Sequence, residues 1–577
     1  MRVSMKTLHL FAGATMLAAA FTLSGCGGSG DEPVSVAPKA EAAQVSQMET
    51  RSGAKQPGSK STRMHPVTGE PLSAEQVLIR GNGSEPGSID PQLVDDSVGG
   101  AIVNDLFEGL TSSGPDGQLT PGVAESWSAS EDFKTWTFKL RQNAKWSDGE
   151  PVTANDFVYS WRRAVNPEVG SNYAYYMEVA GVANSTAIVN GEKPITDLGV
   201  QALDDYTLQV SLEVPVTYLP IMVSHYTTYP SPQRVVEKYK GDWTKPGNIV
   251  SNGAYKLKEW SVGEKMVAVR NENYWGNADT IVNEVVYLPI DDTIAEMQRF
   301  EAGEMHHTNT VPVSQMERIK KDMNDELISV PKLATYMYQF NLQEKPFDDV
   351  RVRKALSYAI DRDIIVKYIT KGGQTPAYSI TPPEVNGFHY VAPEISKLTQ
   401  AERDAEAIRL LNEAGYNKDN PLVFDLVYNT SEGHKSIAVA ISQMWKEKLG
   451  AIVTPTNMEW KTFLTEKAAG NFKVARYGWN GDYNEASTFL TLMLSNSGNN
   501  DGKWNNAEFD KLLADARNST DPAPFYEKAE QILSAEMPVA PIYFYRGLRM
   551  VSPQLGGYAT NNPLDIAYAK DMYIKAQ

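Results

Sequence analysis

Disulfides cannot brace this chain, because its 577 residues contain one cysteine, Cys26. Histidine is also scarce: His9, His65, His225, His306, His307, His389 and His434 are the full set. Only His306 and His307 are adjacent, and neighbours on a helix or strand point apart, so no metal site is expected. Positive charge is in deficit. The 54 basic residues face 71 acidic ones, a formal net charge of −17, which speaks against nucleic acid as a partner. The one long apolar run, Leu8–Leu23, is short for a membrane-spanning helix. Catalytic signatures are missing too, with no Gly-x-Ser-x-Gly elbow, no His-Glu-x-x-His and no P-loop. Gly81–Gly87 could pass for a dinucleotide loop, but its third glycine falls one place late and Pro86 sits where the helix should open. The pairs Asp204-Asp205 and Asp291-Asp292 read as solvated turn residues. No enzyme activity, catalytic residue, cofactor or metal is expected.

What is present suits a large exported binder. Hydrophobic residues make up 42% of the chain and aromatics 10%, enough for several domains with substantial cores. Arg2 and Lys6 give a short basic start before the apolar run. Leu23-Ser24-Gly25-Cys26 follows and resembles the lipobox of bacterial lipoprotein signals. Residues 1–25 are therefore expected to be a signal peptide, with Cys26 acylated and the protein held at a bacterial membrane on the periplasmic side. Residues 26–73, rich in Gly, Ala, Ser, Pro and Gln, are expected to form a disordered tether.

Beyond the tether, strand and helix patterns interleave. Gln76–Arg80, Thr135–Leu140, Tyr206–Leu212, Lys265–Arg270, Glu284–Leu288 and Leu422–Tyr428 read as strands. A capping box at Thr399–Glu402 opens a helix that stops at Gly415. Ser436–Leu449 carries an apolar face and ends at Gly450, with His434 just before it. Val352, Ala355, Leu356, Ala359 and Ile360 mark another helical face, and Asp361 is placed to cap a helix reaching Tyr368. The class is mixed α/β.

One stretch stands out. Arg476-Tyr-Gly-Trp-Asn-Gly-Asp482 follows what reads as the end of a strand at Asn471–Ala475. Its glycines allow close backbone approach, and its two opposite charges could hold a ligand carrying both. A turn with a surface ion pair is the competing reading.

Three segments decide between them by resemblance. Ala124–Trp127, Trp136–Arg141, Ala144–Gly149 and Pro151–Phe157 together resemble the signature region of family 5 extracellular solute-binding proteins, which serve ATP-driven importers. Phe347–Leu356, running on to Ala359–Arg362, is the second segment. The third, Ala475–Glu485, is similar to the oligopeptide-binding branch of that family. The resemblance covers about residue 75 to the C-terminus. It implies a two-lobed periplasmic-binding-protein fold with three domains: residues 74–107, 233–333 and 547–577 together form the first, 108–232 the second and 334–546 the third.

The resemblance also implies a closed cavity that takes short extended peptides and a monomer that delivers them to an ABC permease. By position, Asp482 matches an acid for the peptide α-ammonium and Arg476 a base for the α-carboxylate. His434 and Lys467 match other basic positions. Gly478 and Asn480 offer main chain. Tyr173, Ser97 and Asp95 match contacts from the opposing lobe and the split first domain, and Trp479, Trp460 and Tyr545 line side-chain pockets. Asn480 stands where the branch often has cysteine, and Ser97 replaces a larger apolar residue. Another family ligand (a murein peptide, a dipeptide, a chito-oligosaccharide or a nickel complex) is the alternative, followed by a surface signalling lipoprotein.

Overall fold

The computed structural model of the chain describes residues 63–385, 388–390, 392–519 and 521–577. The expected signal peptide, Cys26 and the tether up to residue 62 lie outside these. The tether was expected to run to residue 73, and here the structure differs. Leu72 is buried with Ile281 and Tyr573, and the Ser73 amide donates to the Ile574 carbonyl at 2.8 Å. A single apolar side chain with a place in the core, plus backbone pairing to the C-terminal segment, orders this stretch despite its polar composition.

In chain order the main strands are β1 (Val77–Gly81), β2 (Ala124–Ala129), β3 (Thr135–Leu140), β4 (Val200–Asp204) and β5 (Thr207–Ser211). Then come β6 (Tyr255–Ser261), β7 (Lys265–Arg270) and β8 (Glu284–Leu288). The last group is β9 (Leu327–Phe340), β10 (Thr375–Pro376), β11 (Val423–Asn429), β12 (Ile452–Met458), β13 (Val474–Asn480) and β14 (Val539–Met550). They form three sheets, ordered β1-β8-β7-β6, β2-β3-β5-β4 and β10-β14-β9-β13-β11-β12. The alternation of Trp136, Phe138 and Leu140 on β3 puts all three in the core. In the first sheet β1 pairs parallel with β8, a partner some 200 positions away in the chain, so this unit is built from distant segments.

The helices cover these sheets. They include α1 (Ser97–Leu106), α2 (Val350–Tyr358), α3 (Gln400–Glu413), α4 (Glu432–Leu449), α5 (Trp460–Ala468) and α6 (Ala523–Glu536). Thr399 and Glu402 close the capping box of α3. Asp361 caps one α-turn, Arg362–Ile364, which widens into a π-helical stretch to Thr370. Helix α4 begins four residues earlier than its apolar face suggested, so His434 lies inside its first turn rather than before it. Among the described residues no helix is long and apolar enough to cross a membrane.

Strands β9 and β14 run side by side through two cores. Leu548 and Met550 pack with Leu288 and Phe300, while Tyr336, Tyr338 and Phe340 pack with α2 and α4 residues such as Leu356 and Trp445. Between them the register slips: Pro331 pairs with Arg546, but Thr335 pairs with Phe544. A bulge at this point bends the pair where the two cores meet.

Helix α6 is pinned to the strand-side loop through Glu530. Its Oε1 accepts the Thr381 amide at 2.8 Å. Burial pushes this carboxyl up to about 7, more than the Thr381 bonds lower it. An unfolded glutamate titrates near 4.3, so the folded state favours the protonated form. The stability this confers is complete below about pH 4 and is lost as pH rises through about 7. Glu530→Gln should therefore gain on the wild type between about pH 5 and pH 8 in urea denaturation, and parallel pH slopes would show that Glu530 does not titrate there.

Candidate ligand-binding site

A cavity of about 510 Å³ opens where α1, β13, β14, α4 and α5 converge. All twelve side chains and main-chain positions expected at the site border it: Asp95, Ser97, Tyr173, His434, Trp460, Lys467, Arg476, Gly478, Trp479, Asn480, Asp482 and Tyr545.

The stretch from Arg476 to Asn480 is not a turn after a strand but the second half of β13 itself. The local pattern ends the strand at Ala475 because Arg, Gly and Asn interrupt the apolar run there, and the competing turn reading falls with that limit. Strand β9 accounts for the rest, holding this half through pairs from Ala334↔Asn480 to Tyr338↔Arg476. On the other side β11 pairs with β13 only at Val474 and Ala475. Beyond the Arg476 amide, which this pairing still uses, that edge is open.

Which groups point there follows from the ladder. Paired residues in an antiparallel ladder alternate between bonded and non-bonded positions. The Gly481 amide donates to Leu333 O at 2.7 Å, and the Asn341 amide donates to Lys473 O at 3.0 Å. Odd-numbered residues therefore bond to β9. Arg476, Gly478 and Asn480 turn their N–H and C=O groups away from β9; the Val427↔Ala475 pairing takes the Arg476 amide, which leaves the Arg476 carbonyl and both groups of Gly478 and Asn480 at the open edge. At Gly478 a Cβ would lie 2.6 Å from Arg476 Nη2, so the bare glycine leaves room for the guanidinium to fold back beside the strand.

The two charges of the stretch do not pair with each other. Asp482 Oδ1 accepts a hydrogen bond from Tyr173 Oη at 3.2 Å and lies 3.4 Å from His225 Nε2. The Asp482 amide donates to Thr488 Oγ1 at 2.8 Å, which fixes the turn after β13. Burial, with Asp482 close by, holds the Tyr173 phenol well above its usual range, so it is a neutral donor. Its ring stacks on Trp479 at 6.2 Å.

Arg476 donates from Nη2 to Tyr545 Oη at 2.7 Å and lies 5.2 Å from the centre of the Tyr336 ring. Its Nε is buried without a partner, and among the described residues no carboxylate lies within ion-pair distance. Burial works against its charge, but the oxygens of Tyr545 and Tyr336 turn the balance upward. His434 beside it is pushed well below its usual range, by burial first and then by Arg476, and so is neutral.

The other candidates are more engaged. Lys467 is not a free cation: it forms a buried ion pair with Asp501 and lies 4.0 Å from the centre of the Tyr477 ring. Asp95 accepts from Asn172 Nδ2 at 2.6 Å, and burial raises its carboxyl. Its neighbour Asp96 caps α1, accepting the Gly99 amide. Burial pushes Asp96 up to about 6. Ser97 opens α1 at the cavity wall. His225, Tyr226 and Asp501 also border the cavity and are not among the residues the sequence points to. They lie outside the segments that carry the resemblance, and nothing local marks them.

A large cavity with an open strand edge, an acid at one end and a cation without a counter-charge further along defines a ligand-binding protein with two lobes. The chain belongs to the bacterial extracellular solute-binding proteins, family 5, whose "family 5 Middle" model matches residues 118–501. It is 47% identical over 520 residues to the periplasmic oligopeptide-binding protein OppA of Salmonella typhimurium, covering 89% of this chain and 96% of that one. Haemophilus influenzae OppA, solved in complex with RPPGFSPFR, superposes with a TM-score of 0.86 at 41% identity, over 88% of this chain and 100% of that one. The murein tripeptide binding protein MppA of Escherichia coli gives 0.86 at 42% identity, over 88% and 100%. An unliganded open form of MppA gives only 0.63 at the same identity, over 88% and 98%. The lobes here are thus set differently from that open form, and Tyr173 and His225 reach Asp482 across the cavity.

Proposed function

We propose that this protein is the substrate-binding component of an ABC oligopeptide importer, enclosing short extended peptides between its lobes. The observation that carries this is the open edge of β13. Gly478 and Asn480 face it with main-chain donors and acceptors and Arg476 with its carbonyl, which suits a ligand that is itself a strand. Arg476 to Asn480 spans roughly 13 Å at about 3.3 Å per residue, the length of about four extended residues. Asp482 anchors the ligand ammonium and Arg476 its carboxylate. Trp479, Trp460 and Tyr545 line side-chain pockets, and Tyr173, Ser97 and Asp95 close on the ligand from the facing side. Asp501 neutralises Lys467, so that wall takes ligand side chains without a strong charge preference. His434, neutral, acts as a hydrogen-bonding group rather than a cation.

We take the three domains over the ranges that the resemblance implies, 74–107 with 233–333 and 547–577, then 108–232 and 334–546, with Leu72 and Ser73 joined to the first through Ile281 and Ile574. The bulge in β9 and β14 lies at the junction of the first and third, and serves as the hinge for closure. Closed, the monomer docks on the membrane permease, tethered in the periplasm through acylated Cys26. The likeness to MppA favours one second reading, a murein peptide as ligand. Native mass spectrometry of the purified protein tests both. Retained peptides of about two to five residues are expected. A retained sugar or metal complex would refute the assignment, and a murein peptide alone would select the second reading.

A further inference from the structure

His225 touches the proposed amine anchor from across the cavity, yet nothing above gives it a role. Its ring is fixed on every side. Tyr226 lies 3.9 Å away, Tyr176 5.0 Å and Tyr173 5.1 Å, centroid to centroid. Its Nδ1 accepts the Thr227 amide at 3.4 Å. A nitrogen that accepts a backbone N–H carries no proton, so the ring proton sits on Nε2. That atom faces Asp482 Oδ1 at 3.4 Å, the same oxygen that Tyr173 reaches. Tyr173 Oη thus donates to Oδ1, and the Nε2–H of His225 lies against the same oxygen, within electrostatic reach but outside hydrogen-bond geometry. Among the described residues no hydrogen bond reaches Oδ2.

We propose that His225 is a positioning residue for the ligand amine. Its Nε2–H, 3.4 Å from Oδ1, holds Asp482 with Oδ1 turned to the facing lobe and Oδ2 turned to the ligand ammonium. The inference rests on the reading of Asp482 as the amine anchor. It adds that the anchor is assembled across the cleft: Asp482 follows β13, while His225 and Tyr173 come from the other side. The carboxylate reaches its binding geometry only when the lobes meet, so recognition of a free amine and closure are one event. A ligand without an ammonium gains nothing from His225.

The test is calorimetric titration of the full chain with trialanine and with N-acetyl-trialanine. His225→Phe keeps an aromatic ring among the three tyrosines but removes the donor. It should weaken trialanine roughly tenfold, the scale of losing a close polar contact to a buried charge, and leave the acetylated peptide within about twofold. His225→Gln supplies an N–H at a similar reach and should bind trialanine within about threefold of the wild type. Circular dichroism checks that both variants are folded. Equal losses for the two peptides in His225→Phe, with the wild type still preferring the free amine, would overturn the role of His225 alone. A wild type that binds both peptides equally would overturn the Asp482 reading, and this inference with it.

Discussion

Asp482→Asn is expected to weaken peptides with a free amino terminus by roughly a hundredfold, while N-acetylated peptides change little. The substitution keeps the size of the side chain and an oxygen for Tyr173 and His225, but removes the charge. A side chain only 8% exposed meets its ligand with little water to screen the pair, and breaking such a pair costs about 2–5 kcal/mol. A mid-range loss of about 3 kcal/mol is that hundredfold. Closure makes the loss larger than at a surface, because Tyr173 and His225 are already committed to Oδ1. Calorimetry with the two peptide forms is the check. Similar losses for both would mean that the substitution damages the cavity rather than the amine anchor.

Arg476→Met should cost peptides of about three to four residues with a free carboxyl terminus roughly thirtyfold to a hundredfold. C-terminally amidated peptides should lose under threefold. The guanidinium is buried, its Nε has no partner, and no carboxylate among the described residues balances it. Desolvating a charge without a counter-charge is expensive, so the protein carries a cost in the empty state that an anionic ligand end relieves. The same reasoning gives a second signature. Removing a cation that no acid balances should leave the thermal midpoint of the empty protein unchanged or raise it, and should abolish most of the rise that peptide brings. Differential scanning calorimetry with and without peptide reads both effects. A variant whose empty form is strongly destabilised would show that Arg476 supports the fold instead.

Much of the scaffold could be read from residue patterns, and the exceptions have particular causes. β3, β7 and β8 have the expected limits, because apolar residues or β-branched runs end at clear polar or turn positions. The capping box of α3 needs two residues at fixed spacing and was legible for the same reason. Helix α4 was placed four residues late, because Glu432, Gly433 and His434 carry no apolar signal, though Glu432 suits a first turn. The half-strand Arg476–Asn480 has the wrong local chemistry for a strand and is held by β9, about 140 positions earlier in the chain. Long-range pairing of that kind leaves no local mark. At the site, the segments carrying the family resemblance led to residues that do share one cavity. The state of those residues was not legible: that Lys467 is spent on Asp501, or that His225 meets Asp482, depends on chain segments far apart in sequence.

The central claim is that a peptide lies as an added strand on β13 between Asp482 and Arg476. A crystal structure of the protein with a tetrapeptide free at both termini tests it most directly. The expected complex has the ammonium on Asp482 Oδ2, main-chain hydrogen bonds to Gly478 and Asn480, and the carboxylate on Arg476 or beside His434. A peptide that runs the opposite way, or that leaves the edge of β13 unpaired, would contradict it.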